Sequence, residues 1–341
     1  MVNLINKNEK IFLAGSTGMV GGALKKALHN HGYGDEYKGG ELLHPTRNNL
    51  DLEEFSQVER WFAENKPSVV IIAAAKVGGI HANNTMPYDF LLKNLKIQTN
   101  IIEQSFKNNV KRLLFLGSSC IYPKLSKQPI IEDYLLTNSL EQTNEAYALA
   151  KIAGIKLCQS LRMQHGFDAI SLMPCNLYGP GDNYHPLNSH VMPALIKKIL
   201  DAKSKNLDEI TCWGTGKPLR EFLYVDDLAD ACIYALENWD PNSSNAPRDQ
   251  YGKSLYWLNV GSDFEVSIKE LTQMISNQCE YKGKIKWDDS KPDGTKRKKL
   301  DTSRMSGLGW DAKINLESGI RKTIESYINE NQISINTQKK L

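Results

Sequence analysis

Short apolar runs alternate with longer amphipathic stretches through the first half of the chain. Four of these runs are typical of buried strands: Lys10–Ala14, Ser68–Ala74, Lys111–Leu116 and Asp168–Met173. Parallel strands that are covered by helices on both faces carry such continuous apolar runs, because both sets of side chains are buried. The pattern therefore predicts an α/β fold with a Rossmann-type, doubly wound parallel sheet.

The second half of the chain is richer in loops and carries shorter elements. Strands are predicted at Glu209–Trp213 and Tyr256–Val260, and a helix at Ile268–Ser276. We interpret this half as a smaller, discontinuous α/β lobe. The predicted division is a cofactor-binding domain at 1–175 and a mainly substrate-binding lobe at 176–335, with chain crossings back to the first domain.

Composition and charge exclude several classes of protein. The chain has 42 basic and 39 acidic residues, so it lacks the strong positive field expected of a nucleic-acid-binding protein. No run approaches the ~18 apolar residues that a membrane span requires. The six cysteines form no Cys-x-x-Cys pair, and no secretory leader precedes Ile11. We expect a cytoplasmic enzyme with reduced thiols and no metal.

A glycine-rich loop joins the first predicted strand to the helix that follows it. Its sequence is Gly15-Ser-Thr-Gly18-Met-Val-Gly21. Glycines here permit a tight turn and close approach of the backbone to a pyrophosphate, while the helix N-terminus offers free N–H groups. The spacing is that of extended short-chain dehydrogenases and predicts a dinucleotide site. A turn that merely joins strand to helix is the alternative.

Arg47 indicates which dinucleotide is bound. It follows the second apolar segment, where an NAD enzyme places an acidic residue against the adenine ribose. A cation at this place suits the 2′-phosphate of NADP(H). Its distance from Gly15 exceeds the usual ~20 residues, so an ordinary surface arginine is the alternative.

Tyr147 and Lys151 are candidates for proton transfer. They lie four residues apart in a strongly helical segment, which places both side chains on one helix face. A nearby ammonium lowers the pKa of a tyrosine, so that its hydroxyl can exchange a proton with a substrate carbonyl oxygen. Among 14 tyrosines such a spacing also occurs by chance. Ser118 strengthens the hypothesis, because it ends a predicted strand at the edge where parallel sheets bind ligands.

Eight further segments carry distinctive sequences. They are Ala73–Ile80, Ala82–Thr85, Leu116–Lys124, Asn176–Pro180, Asn188–Leu195, Trp213–Gly216, Arg220–Asp227 and Lys291–Thr295. These segments resemble the GDP-L-fucose synthase family of extended short-chain dehydrogenases. The resemblance implies an NADP(H)-dependent enzyme that inverts C3 and C5 of GDP-4-keto-6-deoxy-D-mannose and then reduces C4 to give GDP-L-fucose.

The resemblance also implies roles for individual side chains. Cys120 is expected to remove the C3 and C5 protons, and His190 to return a proton from the opposite face. A thiol suits this work if its setting lowers its pKa, because the thiolate is the reactive form. A buried inert cysteine and a helix-capping histidine are the alternatives. Tyr147 is expected to protonate O4, Lys151 to hold the nicotinamide ribose, and Ser118 to steady the oxyanion.

The glycine loop and the resemblance together define two sets of binding residues. The expected cofactor-binding residues are Gly15, Ser16, Thr17, Gly18, Met19, Val20, Gly21, Arg47, Asp51, Leu52, Leu116, Gly117, Ser118, Lys151, Pro174, Cys175, Asn176, Leu177 and His190. The expected substrate-binding residues are Asn176, Lys198, Trp213, Arg220 and Asp293.

Three positions depart from the family pattern, and two further features concern surface charge and assembly. Thr17 stands where the family often has a cation, Cys175 where it has a threonine or similar residue, and Lys198 where it has an arginine. The basic run 296–299 is interpreted as a solvated face. A homodimer is implied, through helices at Phe90–Lys107 and Ala146–Arg162.

Three other functions are compatible with parts of the pattern. The same chemistry on another GDP-4-keto sugar, such as a 6-deoxy-heptose, differs only in pocket shape. A sugar-nucleotide 4-epimerase or 4,6-dehydratase that retains its cofactor has no need of Cys120 and His190. A non-catalytic NADP-binding sensor has no need of Ser118, Tyr147 and Lys151.

Overall fold

The computed structural model describes residues 3–185, 188–291 and 293–338, so Pro292 of the eighth segment above lies outside them. The strands are β1 (Lys10–Ala14), β2 (Glu41–Leu43), β3 (Val69–Ile72), β4 (Arg112–Leu116), β5 (Ala169–Pro174), β6 (Asn176–Tyr178), β7 (Glu209–Trp213), β8 (Leu219–Tyr224), β9 (Trp257–Val260), β10 (Glu265–Ser267), β11 (Lys284–Asp288) and β12 (Arg297–Lys298). The α-helices are α1 (Met19–Asn30), α2 (Phe55–Asn65), α3 (Ile80–Thr85), α4 (Pro87–Lys107), α5 (Glu145–His165), α6 (Val191–Ser204), α7 (Val225–Asn238), α8 (Ile268–Gln278), α9 (Ser303–Gly307) and α10 (Leu316–Gln338).

A six-stranded parallel sheet forms the first lobe, and its strand order is β2-β1-β3-β4-β5-β9. The residues of β3 and β4 are all buried, as expected for strands covered on both faces. The predicted doubly wound α/β fold is therefore confirmed. The order reverses between β1 and β3, and ligands of such sheets bind beyond the carboxyl ends of the strands at this point.

A second lobe has its own sheet and its own apolar core. In it β8 pairs with β6 and β12 in parallel and with β10 in antiparallel orientation, and β7 pairs with β11. Buried side chains of α6, α8 and α10 form the core. Two elements after residue 175, α7 and β9, pack instead into the core of the first lobe. The chain therefore crosses between the lobes, and no single boundary at residue 175 separates the two cores.

A buried carboxylate ties the two lobes together. Glu221 of β8 accepts hydrogen bonds from the backbone N–H groups of Asp263 and Leu300, both at 2.9 Å. Asp263 follows β9 of the first sheet, and Leu300 follows β12. Burial raises the pKa of Glu221, and these N–H groups oppose that rise because they stabilise the charged form.

Three further properties belong to the described part of the chain. All six cysteines are free and buried. The described residues contain no group of three or more His, Cys, Asp or Glu side chains placed to hold a metal ion. None of the helices in these ranges has both the length and the apolarity needed to cross a bilayer. Helices α4 and α5 contain the two segments expected at a dimer interface, and the homodimer stays a prediction.

Candidate active site

A cleft with a cavity of about 1350 Å³ runs along the carboxyl ends of the first-lobe strands. Residues that directly follow four strands line it, namely Gly15 after β1, Ala73 after β3, Gly117 after β4 and Cys175 after β5. The second lobe supplies the opposite wall. The five residues proposed for catalysis all line this one cleft: Ser118, Cys120, Tyr147, Lys151 and His190.

The glycine loop forms the floor at one end of the cleft. Gly15 has φ +91°, and a β-carbon there would stand 2.6 Å from the backbone nitrogen of Ala74. A β-carbon on Gly21 would stand less than 3.0 Å from the carbonyl oxygen of Gly15. Packing within the protein therefore requires these two glycines.

Gly18, in contrast, is not required by packing within the protein. It is the N-cap of α1 with an ordinary φ of −85°, and the nearest atom to a β-carbon there would be 3.8 Å away. No side chain caps this helix, and its first turn carries no acidic residue. The bare backbone and its N–H groups suit the close approach of an anion, as a dinucleotide pyrophosphate requires.

Arg47 lies on the cleft wall beyond the loop, together with Thr17, Asp51 and Leu52. Its guanidinium pairs with the carboxylate of Glu53 at 2.8 Å, while its side chain stays largely exposed. Arg47 is thus placed beside the glycine loop, where a 2′-phosphate is expected. Its charge is shared with Glu53, six residues further along the chain.

Lys151 and Tyr147 of α5 stand beside the end of β4. The Nζ of Lys151 donates a hydrogen bond of 2.8 Å to the carbonyl oxygen of Leu116 and lies 5.9 Å from the centre of the Tyr147 ring. Burial lowers the pKa of Lys151 to about 8. Burial also raises the pKa of Tyr147, and a hydrogen bond with Ser118 opposes this only in part. The expected lowering of the tyrosine pKa is therefore wrong, because desolvation of the phenolate outweighs it.

Cys120 lies in a short 3-10 helix, Ser119–Ile121, which begins three residues after the last residue of β4. Ser118 caps this turn, and its Oγ accepts a hydrogen bond from the N–H of Cys120 at 3.4 Å. The cysteine is 6% exposed, and burial raises the pKa of its thiol. The expectation of a lowered pKa is wrong, because desolvation exceeds the opposing influences of Lys298, Ser118 and Lys151.

Lys298 corrects the interpretation of the basic run. The run 296–299 was expected to be a solvated face, yet Lys296, Arg297 and Lys298 line the cleft. The reason is that β12 pairs with β8 and so lies at the cleft wall. Burial lowers the pKa of Lys298, and among the charges near Cys120 it is the one that favours the thiolate most.

His190 is the N-cap of α6, but its side chain makes no capping hydrogen bond. The capping alternative is therefore wrong, and the imidazole lines the cleft. Desolvation by the surrounding protein lowers its pKa. A lowered pKa makes the imidazolium a stronger acid, so that once protonated the ring gives up its proton readily to carbon.

The substrate-binding candidates divide into two groups. Asn176, Arg220 and Asp293 line the cleft. Lys198 and Trp213 are not among the residues that line it: Lys198 donates to the carbonyl oxygen of Thr211 at 2.8 Å, and Trp213 is 69% exposed. Thr211 and Trp213 belong to β7, and Thr215, two residues after this strand, donates to Asp293 at 2.9 Å through its N–H and at 2.7 Å through its hydroxyl.

The structure also brings residues to the cleft that sequence reasoning missed. They are Ala74, Asn83, Glu141, Asn144 and Lys298, among others. The carboxamide oxygens of Asn83 and Asn144 are buried, and they have no hydrogen-bond partner within the described residues. Unpaired acceptors at a cleft wall are suited to meet donors of a ligand. Asn83 lies in the segment Ala82–Thr85, whose resemblance to the family could have indicated it, whereas no spacing pattern marks Asn144.

Comparison with known proteins identifies the family of this chain and several similar proteins. Residues 11–247 match the NAD dependent epimerase/dehydratase family. The chain is 52% identical to a putative GDP-L-fucose synthase 2 of Arabidopsis thaliana, over 95% of this chain and 93% of that protein. It is 47% identical to the GDP-L-fucose synthase of Escherichia coli strain K12, over 95% and 98% of the two chains. Among solved structures, a GDP-mannoheptose C4 reductase from Campylobacter jejuni with NADP bound is similar with a TM-score of 0.83, at 35% identity over 95% of this chain and 99% of that one.

Proposed function

Because the chain belongs to the NAD dependent epimerase/dehydratase family and, within it, to the GDP-L-fucose synthases, we propose that it converts GDP-4-keto-6-deoxy-D-mannose to GDP-L-fucose. The conversion inverts C3 and C5 and then reduces C4. The observation that carries the proposal is that Cys120 and His190 line the same cleft as Ser118, Tyr147 and Lys151. A 4-reductase alone has no use for the first pair, and an enzyme that only inverted C3 and C5 has no C4 alkoxide to which a tyrosine must donate a proton.

The ketone at C4 makes both halves of the reaction possible. It acidifies the hydrogens on the two neighbouring carbons, because the negative charge that forms on proton removal spreads to O4. Cys120, as thiolate, removes the proton from C3 or C5, and His190 delivers a proton to the opposite face of the same carbon. Ser118 donates a hydrogen bond to O4 while the charge is there. Each cycle leaves the thiol protonated and the imidazole neutral, so both groups exchange protons with solvent before the next carbon is inverted.

Reduction uses the same oxygen. NADPH supplies, when bound, the hydride that C4 receives. Tyr147 donates its proton to O4, and its raised pKa keeps the phenol protonated and ready to donate at neutral pH. Lys151 keeps its ammonium between Tyr147 and the carbonyl of Leu116, where it stabilises the phenolate that forms.

We propose NADP(H) as the cofactor. The glycine loop suits a dinucleotide, and Arg47 lies beside it on the same wall as Asp51 and Leu52. A guanidinium matches the geometry of a phosphate group. The similar GDP-mannoheptose C4 reductase was solved with NADP. Thr17 adds no second cation, so Arg47 carries the preference.

The activity test is a comparison of two sugars at equal concentration. Purified protein is given NADPH with GDP-4-keto-6-deoxy-D-mannose or with a GDP-4-keto-6-deoxy-heptose, which the similarity to the C4 reductase makes the second candidate. We expect faster NADPH oxidation with the first sugar and GDP-L-fucose as the product identified by NMR. Turnover of the heptose alone would assign the chain to the second substrate, and turnover of neither would remove the proposal.

A further inference from the structure

The turn that begins α3 contacts the segment that carries His190. The N–H of Gly79 donates a hydrogen bond of 2.9 Å to the carbonyl oxygen of Asn188. Gly79 has φ −67° and ψ 179°, a conformation open to any residue. A β-carbon there would nevertheless stand less than 3.0 Å from the carbonyl oxygen of Ser189. Glycine is therefore required by the approach of Ser189 and not by the conformation of the turn.

The first-lobe side of this contact is held firmly. The Nδ2 of Asn83 donates hydrogen bonds to the carbonyl oxygens of Gly78 at 2.7 Å and Gly79 at 3.1 Å, and Asn83 is buried. Behind the turn, a β-carbon on Gly78 would already meet the buried ring of Phe90 at 3.1 Å. Because the turn has little room to retreat, a side chain added at Gly79 must displace the segment of Asn188 and Ser189.

That segment leads directly into His190. The histidine is the N-cap of α6, whose apolar face lies in the core of the second lobe through Met192 and Ile196. The backbone of His190 thus lies between two anchored segments, with residues 188 and 189 against the Gly79 turn before it and α6 in the second-lobe core after it. No side-chain cap anchors the imidazole itself to the helix.

We propose that Gly79 is a positioning residue for His190: it lets the backbone of Asn188 and Ser189 lie against the first lobe and so sets how far the imidazole reaches into the cleft. The contact joins a first-lobe turn to a second-lobe helix. It therefore fixes the imidazole relative to Cys120 and Tyr147, which belong to the first lobe. The inference rests on the proposed function, because it concerns the group that returns protons to the sugar ring.

The experiment compares Gly79→Ala with Gly307→Ala. Gly307 ends α9, and a β-carbon there has no neighbouring atom within 4 Å, so this variant is the matched control. With GDP-4-keto-6-deoxy-D-mannose in heavy water, we expect deuterium uptake at C3 and C5 to fall by about 10- to 100-fold in Gly79→Ala, since a displacement of roughly 1 Å costs a factor of this order. The Kd for NADPH should not change in Gly307→Ala, and in Gly79→Ala it should change far less than the exchange rate, because the glycine loop is untouched and His190 is only one of many expected cofactor contacts.

A second readout does not depend on the substrate. In protein labelled with ¹³C at its seven histidines, the resonances of His190 are assigned by their loss in His190→Asn. We expect Gly79→Ala to shift the His190 resonances and Gly307→Ala to leave them in place. Asn83→Ser, which frees the turn without adding bulk, should shift them in part and decides the matter if Gly79→Ala does not fold.

The two proposals can fail separately. If wild-type protein does not exchange deuterium into this sugar but Gly79→Ala still shifts the His190 resonances, the proposed substrate is wrong and the positioning inference stands. Wild-type exchange rates together with unshifted His190 resonances in the folded Gly79→Ala variant would overturn the inference.

Discussion

The ammonium of Lys151 donates a hydrogen bond of 2.8 Å to the carbonyl oxygen of Leu116, the last residue of β4. This bond fixes the N-terminal part of α5 to the strand end that leads into Ser118 and Cys120. It also places the cation where burial makes it lose its proton easily, since the pKa of Lys151 is lowered to about 8. The pKa of Tyr147, on the same helix face, is raised. As the pH rises, the lysine therefore loses its proton before the tyrosine does, which reverses the usual order of the two groups.

The lowered pKa of Lys151 predicts a loss of reduction in alkaline solution. The ammonium is present below its pKa of about 8 and is lost as the pH rises through that value. We expect kcat/KM for NADPH oxidation to fall about tenfold for each pH unit above this point, because the neutral amine no longer stabilises the phenolate. Lys151→Met should remove this pH dependence along with most of the activity. A wild-type profile that stays flat to pH 9.5 would contradict the role given to Lys151.

Lys298 should control the pH at which Cys120 works. Burial raises the pKa of the thiol, and the charge of Lys298 opposes that rise. Lys298→Met should therefore raise the thiol pKa further and move the rising limb of the exchange rate to higher pH. A shift of about one unit would lower exchange near neutral pH on the order of tenfold.

The control for this prediction is Lys299→Met. The Nζ of Lys299 pairs with the exposed carboxylate of Asp263 at 2.7 Å, and its charge is not among the main influences on the Cys120 pKa. The pH dependence of deuterium exchange in Lys299→Met should match that of the wild type. Equal shifts in both variants would show that Lys298 acts through the overall charge of the protein and not through its position beside Cys120.

Substitutions at Arg47 and Glu53 should have opposite effects on the affinity for NADPH. Arg47→Ala should weaken NADPH binding by about 10- to 100-fold, the worth of a charge-assisted hydrogen bond, and leave NADH binding unchanged. Glu53→Gln frees the guanidinium from its 2.8 Å pair and should strengthen NADPH binding. Fluorescence titration with both cofactors measures this. Parallel losses for NADPH and NADH in Arg47→Ala would mean that this arginine does not read the 2′-phosphate.

Two neighbouring glycines of α1 predict opposite effects on stability. Gly22 is exposed, and a β-carbon there meets no atom within 4 Å, so Gly22→Ala should raise the free energy of unfolding by about 0.5–1 kcal/mol through helix propensity. Gly21→Ala should destabilise the protein and abolish cofactor binding, because its β-carbon would collide with the backbone of Gly15. Thermal unfolding with and without NADPH tests both. Similar unfolding curves for the two variants would show that the loop tolerates the collision.

The sequence was most informative where a residue's task depends on its neighbours in the chain. Continuous apolar runs predicted β1 and β4 to within one residue, because burial on both faces leaves a pattern of its own. The strand predicted at Ser68–Ala74 is shorter, since pairing with β1 and β4 ends at Ile72 and the next alanines line the cleft. The glycine loop and the tyrosine–lysine pair were recognisable because their chemistry requires fixed spacing.

Properties that depend on contacts between residues far apart in the chain could not be predicted from the sequence. Lys298 lies in a basic run that has the composition of a solvated face, and only its pairing with β8 brings it near Cys120. The direction of the Cys120 pKa shift depends on how completely the thiol is desolvated, which follows from the packing of both lobes. The roles proposed for Cys120 and His190 came from family resemblance, since an isolated cysteine or histidine carries no spacing pattern.

The most direct test of the central claim follows hydrogen isotopes in the product. Wild-type protein is given GDP-4-keto-6-deoxy-D-mannose and NADPH in heavy water, and the product is analysed by NMR beside those of Tyr147→Phe and Cys120→Ala. We expect wild-type product with deuterium at C3 and C5, continued exchange but a reduction rate lowered by about 10²- to 10⁴-fold in Tyr147→Phe, and loss of exchange in Cys120→Ala. Deuterium uptake that is undiminished in Cys120→Ala would contradict the proposed mechanism.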